Sequence, residues 1–340
     1  HSEHASLVPG SVQTSFTQRL CSPDYWYAKT TVDVRFTKLS ADATMTDGNH
    51  EYALGGAEYE LTRSTTGEKT TVVLDADGHA DLSLAPNEWY FYRETKAPQG
   101  YKLDTAVHKF FTGNTSSEEQ HRDDPGYIIF TVQKKDSATG TTSAQPGVGL
   151  SGATYRVVDA NGVSHTVTTD ASGVARLSRL PLGQVTITEI SAPEGYKLDP
   201  TPKHYTVHAN QITNAGVFEL TPEDDFKENV VAFNLKLVKY LDTGADTSGL
   251  QNPGVGIKFE VVSNTTNKVV ATMTTDAEGR AELTGGWYGE GTRNDGIKGC
   301  IPYDAAGYTV REVASTVPAG YKPTSWQVTP AEMVDGTTLS

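Results

Sequence analysis

Two residue types that could do acyl chemistry together recur through this chain at a near-constant interval. Lys38, Lys134 and Lys239 each close an alternating apolar stretch: Val34-Arg35-Phe36-Thr37-Lys38, Thr131-Val132-Gln133-Lys134 and Leu235-Lys236-Leu237-Val238-Lys239. Glu94, Glu189 and Glu312 follow them after 56, 55 and 73 residues. A lysine placed in an apolar core loses the hydration of its charge, so its pKa falls and it can become a neutral amine nucleophile. A buried glutamic acid shifts the other way and stays protonated. It can then hydrogen-bond an acceptor carbonyl and shuttle protons while a tetrahedral intermediate forms and breaks.

The elements that must bury these pairs form an internal repeat. Gly55-Gly56-Ala57-Glu58-Tyr59-Glu60-Leu61 has counterparts in Ser151-Gly152-Ala153-Thr154-Tyr155-Arg156-Val157 and Gly254-Val255-Gly256-Ile257-Lys258-Phe259-Glu260. An Asp-x-x-Gly turn follows each, at Asp75 to Gly78, Asp170 to Gly173 and Asp276 to Gly279. The strongest match is Tyr92-Arg93-Glu94-Thr95-Lys96-Ala97-Pro98-Gln99-Gly100-Tyr101 against Ile187-Thr188-Glu189-Ile190-Ser191-Ala192-Pro193-Glu194-Gly195-Tyr196. It returns, one residue longer, from Val310 to Tyr321. The third unit carries 17 extra residues between turn and glutamate, and without them its interval is also 56.

Within each unit, period-2 alternation such as Val185-Thr186-Ile187-Thr188 is broken at short intervals by Gly, Pro, Asp and Asn, which predicts antiparallel sandwiches. With 32 Gly, 16 Pro and only 3 Met in 340 residues, long helices are disfavoured. The expected fold is all-β, a series of tandem immunoglobulin-like β-sandwiches in an elongated array. The boundaries read from the repeat are 1–31 for a leader or the end of a preceding domain, then 32–126, 127–230 and 231–340. The last contains an insertion at 285–307, and its final strand is read as incomplete at Ser340.

A net charge of −14 leaves no electrostatic footprint for nucleic acid and repels an anionic membrane surface. Apolar runs such as Tyr127–Val132 fall far short of the roughly 20 residues a membrane span needs. Cys21 and Cys300 are too few and too far apart in sequence to make a disulfide scaffold.

The repeated motifs resemble the Cna-B (SpaA-like, prealbumin-like) repeats of Gram-positive surface adhesins and sortase-assembled pilins. The resemblance rests on the opening-strand lysine, the Gly-Ala-x-Tyr strand, the Asp-x-x-Gly turn and the Glu-Thr-x-Ala-Pro-x-Gly-Tyr box, and it runs from about residue 32 to 340. It implies a sandwich of about seven strands per domain. It also implies a spontaneous isopeptide bond between the lysine and an Asn or Asp on the last strand, catalysed by the box glutamate. Carried onto this chain, the crosslinking lysines are Lys38, Lys134 and Lys239, and the catalytic residues are Glu94, Glu189 and Glu312. Asp123, in Asp123-Asp124-Pro125, is the acceptor implied for the first unit. Asp224, ahead of Asn229, is implied for the second, and none is named for the third. The alternative is that these clusters are no more than buried, hydrogen-bonded ion pairs.

Other constellations point away from turnover chemistry. Asp75-Ala76-Asp77-Gly78 opens like a calcium loop, but the twelfth position is Pro86, where a closing glutamate is required. His204 and His208 would lie some 13 Å apart on one strand face at about 3.3 Å per residue, too far to share a metal. No Gly-x-Ser-x-Gly elbow, P-loop or His-Glu-x-x-His motif is present. No metal, no cofactor and no enzyme activity beyond a single intramolecular turnover is expected.

The sequence therefore reads as a structural stalk of a cell-surface adhesin or pilin, extracellular and wall-anchored, monomeric in isolation. Its expected partners are other pilin subunits or a host extracellular protein or glycan. The competing reading is direct host binding through the third-unit insertion, with Trp287, Tyr288 and Tyr303 as contact residues.

Overall fold

Strict alternation along a strand buries one side chain in two, and the first strand obeys it. Val32, Val34 and Phe36 are buried, with Asp33 and Arg35 exposed between them. The computed structural model describes residues 30–242, 252–283, 286–293, 296 and 299–340. The leader with Cys21, and parts of the insertion, lie outside the described residues. Two compact units meet in sequence at Pro125–Gly126, with Asn214–Gly216 grouped with the first.

The first unit holds one sandwich. Its strands are β1 (Val32–Ser40), β2 (Glu58–Arg63), β3 (Lys69–Val73), β4 (His79–Leu84), β5 (Glu88–Lys96), β6 (His108–Thr112) and β7 (Ser117–Asp123). They form a sheet of order β3-β2-β5-β6 facing one of order β4-β1-β7. Val34 and Phe36 from one sheet and Tyr59, Leu61, Tyr90 and Tyr92 from the other share one core. The last strand runs parallel to the first, with Lys38 opposite His121 and Ser40 opposite Asp123. Parallel neighbours cannot be joined by a hairpin, so this pairing closes the sandwich only when the whole unit has folded.

The second unit holds two further sandwiches. One comprises β8 (Tyr127–Gln133), β9 (Lys135–Asp136), β10 (Thr154–Val158), β11 (Ser164–Thr168), β12 (Val174–Leu180), β13 (Gly183–Ser191), β14 (Lys203–Val207), β15 (Val217–Leu220) and β16 (Lys227–Glu228). The sheet orders are β11-β10-β13-β14 and β12-β8-β15, with β16 pairing β9 in parallel. The other comprises β17 (Ala232–Val238), β18 (Tyr240–Leu241), β19 (Asn252–Pro253), β20 (Lys258–Ser263), β21 (Val269–Thr274), β22 (Arg280–Glu282), β23 (Ile301–Pro302), β24 (Tyr308–Glu312), β25 (Ser325–Val328) and β26 (Thr338–Leu339). Its four-stranded sheet is β21-β20-β24-β25, and β22, β23 and β26 all pair with β17. The fold is thus almost entirely β, built as tandem sandwiches.

Within the second unit the insertion seats its aromatic side chains against protein. Trp287 and Tyr303 pack on a cluster of Leu150, Tyr196 and Val230 from the preceding sandwich, while Tyr288 packs on the core of its own. Gln145 donates to the Glu290 carbonyl at 3.0 Å and accepts from the Glu290 N–H at 2.7 Å. Cys300 is a buried free thiol.

Candidate functional site

The three repeated motifs converge on the lysines. In each Asp-x-x-Gly turn, an aspartate oxygen accepts two backbone N–H groups. Asp75 Oδ1 takes those of Asp77 and His79, Asp170 Oδ1 those of Ser172 and Val174, and Asp276 Oδ1 those of Glu278 and Arg280. The turn then presents the glycine carbonyl to the lysine N–H: Gly78 to Lys38 at 2.8 Å, Gly173 to Lys134 at 2.8 Å and Gly279 to Lys239 at 2.7 Å. Each lysine backbone is pinned where its side chain continues the inward face of the opening strand.

The glutamates are placed by the same alternation. Tyr90, Tyr92 and Glu94 face inward along β5, as Val185, Ile187 and Glu189 do along β13. One carboxylate oxygen of each accepts a backbone N–H from the loop beyond the box: Glu94 from Asp104 at 2.9 Å, Glu189 from Asp199 at 3.2 Å and Glu312 from Thr324 at 2.8 Å. The other oxygen is left for the lysine.

In the first sandwich, Lys38 Nζ lies 2.8 Å from Glu94 Oε1 and 2.5 Å from Asp123 Oδ1, and all three side chains are fully buried. Lys38 also donates to the Tyr59 hydroxyl, which donates to Glu94 Oε1 at 3.2 Å. Burial raises the Glu94 pKa, opposed by the hydrogen bond from Lys38. Neither oxygen of Asp123 has a hydrogen bond of ordinary geometry, a costly state for a buried carboxylate. Amine, acid and carbonyl carbon are therefore held together in a dry site, which is the arrangement that amide formation between side chains requires.

The second sandwich repeats this with a changed acceptor. Lys134 Nζ lies 2.7 Å from both Glu189 Oε1 and the Tyr155 hydroxyl, and burial pushes its pKa down to about 8. The carboxylate that completes the set is Glu228, which accepts from Lys134 and is buried, with its second oxygen unpartnered. Asp224, the acceptor expected from sequence, lies away from Lys134. Asp224 is exposed, paired with Lys135 at 3.2 Å and Lys227 at 3.0 Å, and those two ammonium groups hold its pKa below the ordinary value. Asn229 is one residue past Glu228, so alternation turns it away, and its carbonyl accepts from Lys197 N at 2.9 Å. Register explains the result. Asp123 lies two residues past His121, the partner of Lys38. The pairing of Lys135 with Lys227 likewise puts Glu228 two residues past the position opposite Lys134.

The third sandwich departs further. Lys239 Nζ is 2.7 Å from Glu312 Oε1, but its side chain is 23% exposed. Phe259, which pairs with Glu312, replaces the tyrosine that pairs with Glu94 and Glu189. The final strand β26 meets Asn234 and Leu235, short of Lys239.

Tyr59 and Tyr155 are the site residues that sequence reasoning left without a role. Each follows its lysine by 21 residues, and that shared interval is the signal that marks them. Among the described residues, one cluster also has ligand types suited to a metal: Asp104, His108 and His121, beside Asp123.

The family described as SpaA: Prealbumin-like fold domain matches residues 40–123 and again residues 129–220, just over half of the chain. No curated protein sequence matches. Among solved structures, the Bacillus anthracis TIE protein aligns at 19% identity with a TM-score of 0.60, over 92% of this chain and 50% of its own. The chain thus spans half the length of that protein. The pilus adhesin SpaC from Lactobacillus rhamnosus GG aligns at 17% identity and TM-score 0.34, over 58% of this chain and 31% of that one. The minor pilin GBS52 of Streptococcus agalactiae aligns at 14% identity and TM-score 0.24, over 62% of this chain and 99% of that one. With two matched segments and a shared fold, the chain belongs to the SpaA prealbumin-like fold domain family.

Proposed function

We propose that this chain is a load-bearing stalk segment of a Gram-positive cell-surface pilin or adhesin, its first two sandwiches clamped by side-chain amides between Lys38 and Asp123 and between Lys134 and Glu228. The observation that carries the reading is the pair of fully buried sites in which a lysine, a glutamate and a second carboxylate with an unpartnered oxygen meet. Proton transfer within the ion pair gives a neutral amine and a carboxylic acid. The nitrogen attacks the acid carbon, Glu94 or Glu189 relays protons, and the C–O bond breaks to release one water. The product carries no charge, so the cost of burying two ions disappears. First and last strands become covalently joined, and by analogy with a disulfide closing a loop of this size the clamp contributes about 4 kcal/mol.

This is a single intramolecular event, and the chain is not an enzyme on external substrates. We assign boundaries at 32–126, 127–230 and 231–340, an extracellular wall-linked location, and partners among other pilin subunits or host surface molecules. Intact-mass spectrometry of the denatured protein tests the reading. The mass should fall below the sequence mass by about 18 Da, one water, for each amide formed. Glu94→Ala and Glu189→Ala should each restore one water, and a full sequence mass in the unmodified chain would overturn the clamp.

A further inference from the structure

Beside Lys38, three side chains from separate segments converge. His108 Nε2 is 2.7 Å from Asp104 Oδ2, and His121 Nε2 is 3.2 Å from the same oxygen. The three ligand atoms all lie within 4.8 Å of one another. The His108 and His121 rings meet edge to face, with centroids 4.6 Å apart. Asp104 Oδ1 is engaged by the Ala106 N–H at 2.9 Å and Oδ2 is hydrogen-bonded with His108 Nε2 at 2.7 Å, a bond that an ion held between them would replace.

His121 supplies the second, independent observation. Its side chain is 6% exposed, yet Nε2 has no hydrogen bond; the oxygens of Asp104 and Asp123, at 3.2 and 3.1 Å, lie outside hydrogen-bond geometry. A buried ring nitrogen is costly to leave unmatched. The second sandwich shows what this location requires. There Asp199 occupies the place of Asp104, each donating its backbone N–H to the box glutamate. Lys203, four residues on, brings its ammonium to 3.8 Å from Asp199, and Phe226 stands where His121 does. In the first sandwich, His108 and His121 replace Lys203 and Phe226. One sandwich fills the location with a lysine cation against a ring. The other offers two imidazole nitrogens and a carboxylate oxygen to a cation from solution.

We propose that Asp104, His108 and His121 bind a divalent transition metal, with Zn²⁺ as the best-fitting ion. Imidazole and carboxylate donors suit zinc. With bonds of about 2.0–2.1 Å, tetrahedral ligands stand roughly 3.3 Å apart; His121 Nε2 and Asp104 Oδ2 are 3.2 Å apart, and the 2.7 Å between His108 Nε2 and Asp104 Oδ2 would widen to admit the ion. The sequence pointed to no metal because these ligands are 4 and 13 residues apart, across a loop and two strands that only the fold brings together. None of the three ligands is a reacting group, but His121 Nε2 lies 3.1 Å from Asp123 Oδ1, so metal binding is read directly and not through amide formation.

The test is titration of the chelator-treated full chain with ZnCl₂ by calorimetry, with CoCl₂ as a spectroscopic probe. One equivalent of zinc should bind, and cobalt should show the intense visible absorption of a low-symmetry four-coordinate ion. His108→Ala and His121→Phe should each weaken binding at least tenfold and abolish the cobalt band. His121→Phe copies Phe226 of the second sandwich, so its far-UV circular dichroism should match the parent. His204→Ala should leave binding unchanged. No stoichiometric zinc binding, or binding that survives both His108→Ala and His121→Phe, would overturn the proposal.

Discussion

Glu228 meets Lys134 at the register position from which Asp123 meets Lys38, so the second sandwich presents a carboxylate one methylene longer to its buried amine. Parallel pairing of last strand with first fixes that position. The residue there, and not the nearest Asp or Asn in sequence, is what the lysine encounters. Glu228→Ala should therefore abolish one water loss in the intact mass, while Asp224→Ala and Asn229→Ala leave the mass difference unchanged. Restoration of one water to the mass of Asp224→Ala would refute the register argument.

The tyrosine hydroxyls bridge amine and acid in the first two sandwiches. Tyr59→Phe and Tyr155→Phe keep the ring packing, as Phe259 does at the equivalent place in the third. Each variant leaves a buried lysine one acceptor short, at a cost of about 1–3 kcal/mol. Denaturant unfolding of each variant in a Glu94→Ala/Glu189→Ala background, where no amide forms, measures this directly. A change under a few tenths of a kcal/mol would mean that the hydroxyls are spectators.

Lys134 gives a pH dependence of definite sign. Its pKa falls from 10.5 to about 8 in the folded chain because burial disfavours the ammonium. Between these values the unfolded chain binds the extra proton, so stability rises with pH. The penalty is full below about pH 8 and is gone above about pH 10.5, a change on the order of 3 kcal/mol. Glu228→Ala, which forms no amide and keeps Glu189 beside the lysine, should show this rise when compared with Lys134→Met/Glu228→Ala. Parallel pH–stability curves for the two would overturn the assignment.

Gly195 sits where the second and third sandwiches touch. Its φ is +79°, and a Cβ there would fall 2.4 Å from Tyr303 Cδ1, whose hydroxyl donates to Glu194 at 2.9 Å. Gly162 has a similar φ of +80° but open space around it. Gly162→Ala should cost about 1 kcal/mol for backbone conformation alone, and Gly195→Ala about 1–3 kcal/mol more for the clash. Urea unfolding of both variants separates the two contributions. Equal losses would show that the joint yields freely.

The repeat made much of this legible before any coordinates. Lysine, turn, box and strand alternation are local patterns, and each sets backbone geometry or side-chain face within a few residues of itself. That is why the repeat, with the family resemblance it carries, pointed to Lys38, Lys134, Glu94 and Glu189, all four of which are buried. Which carboxylates reach the lysines depends instead on how β7 and β16 register against strands about 90 residues earlier. A shift of one residue exchanges inward for outward faces, and nothing local distinguished Asp224 from Glu228. The same holds for the insertion aromatics, whose burial against Leu150, Tyr196 and Val230 depends on a neighbouring sandwich. It holds equally for the convergence of Asp104, His108 and His121. Sequence determined which groups enter a core, because alternation is a property of single strands. Tertiary structure decided which groups meet there, because strand register and sheet packing are properties of the closed fold.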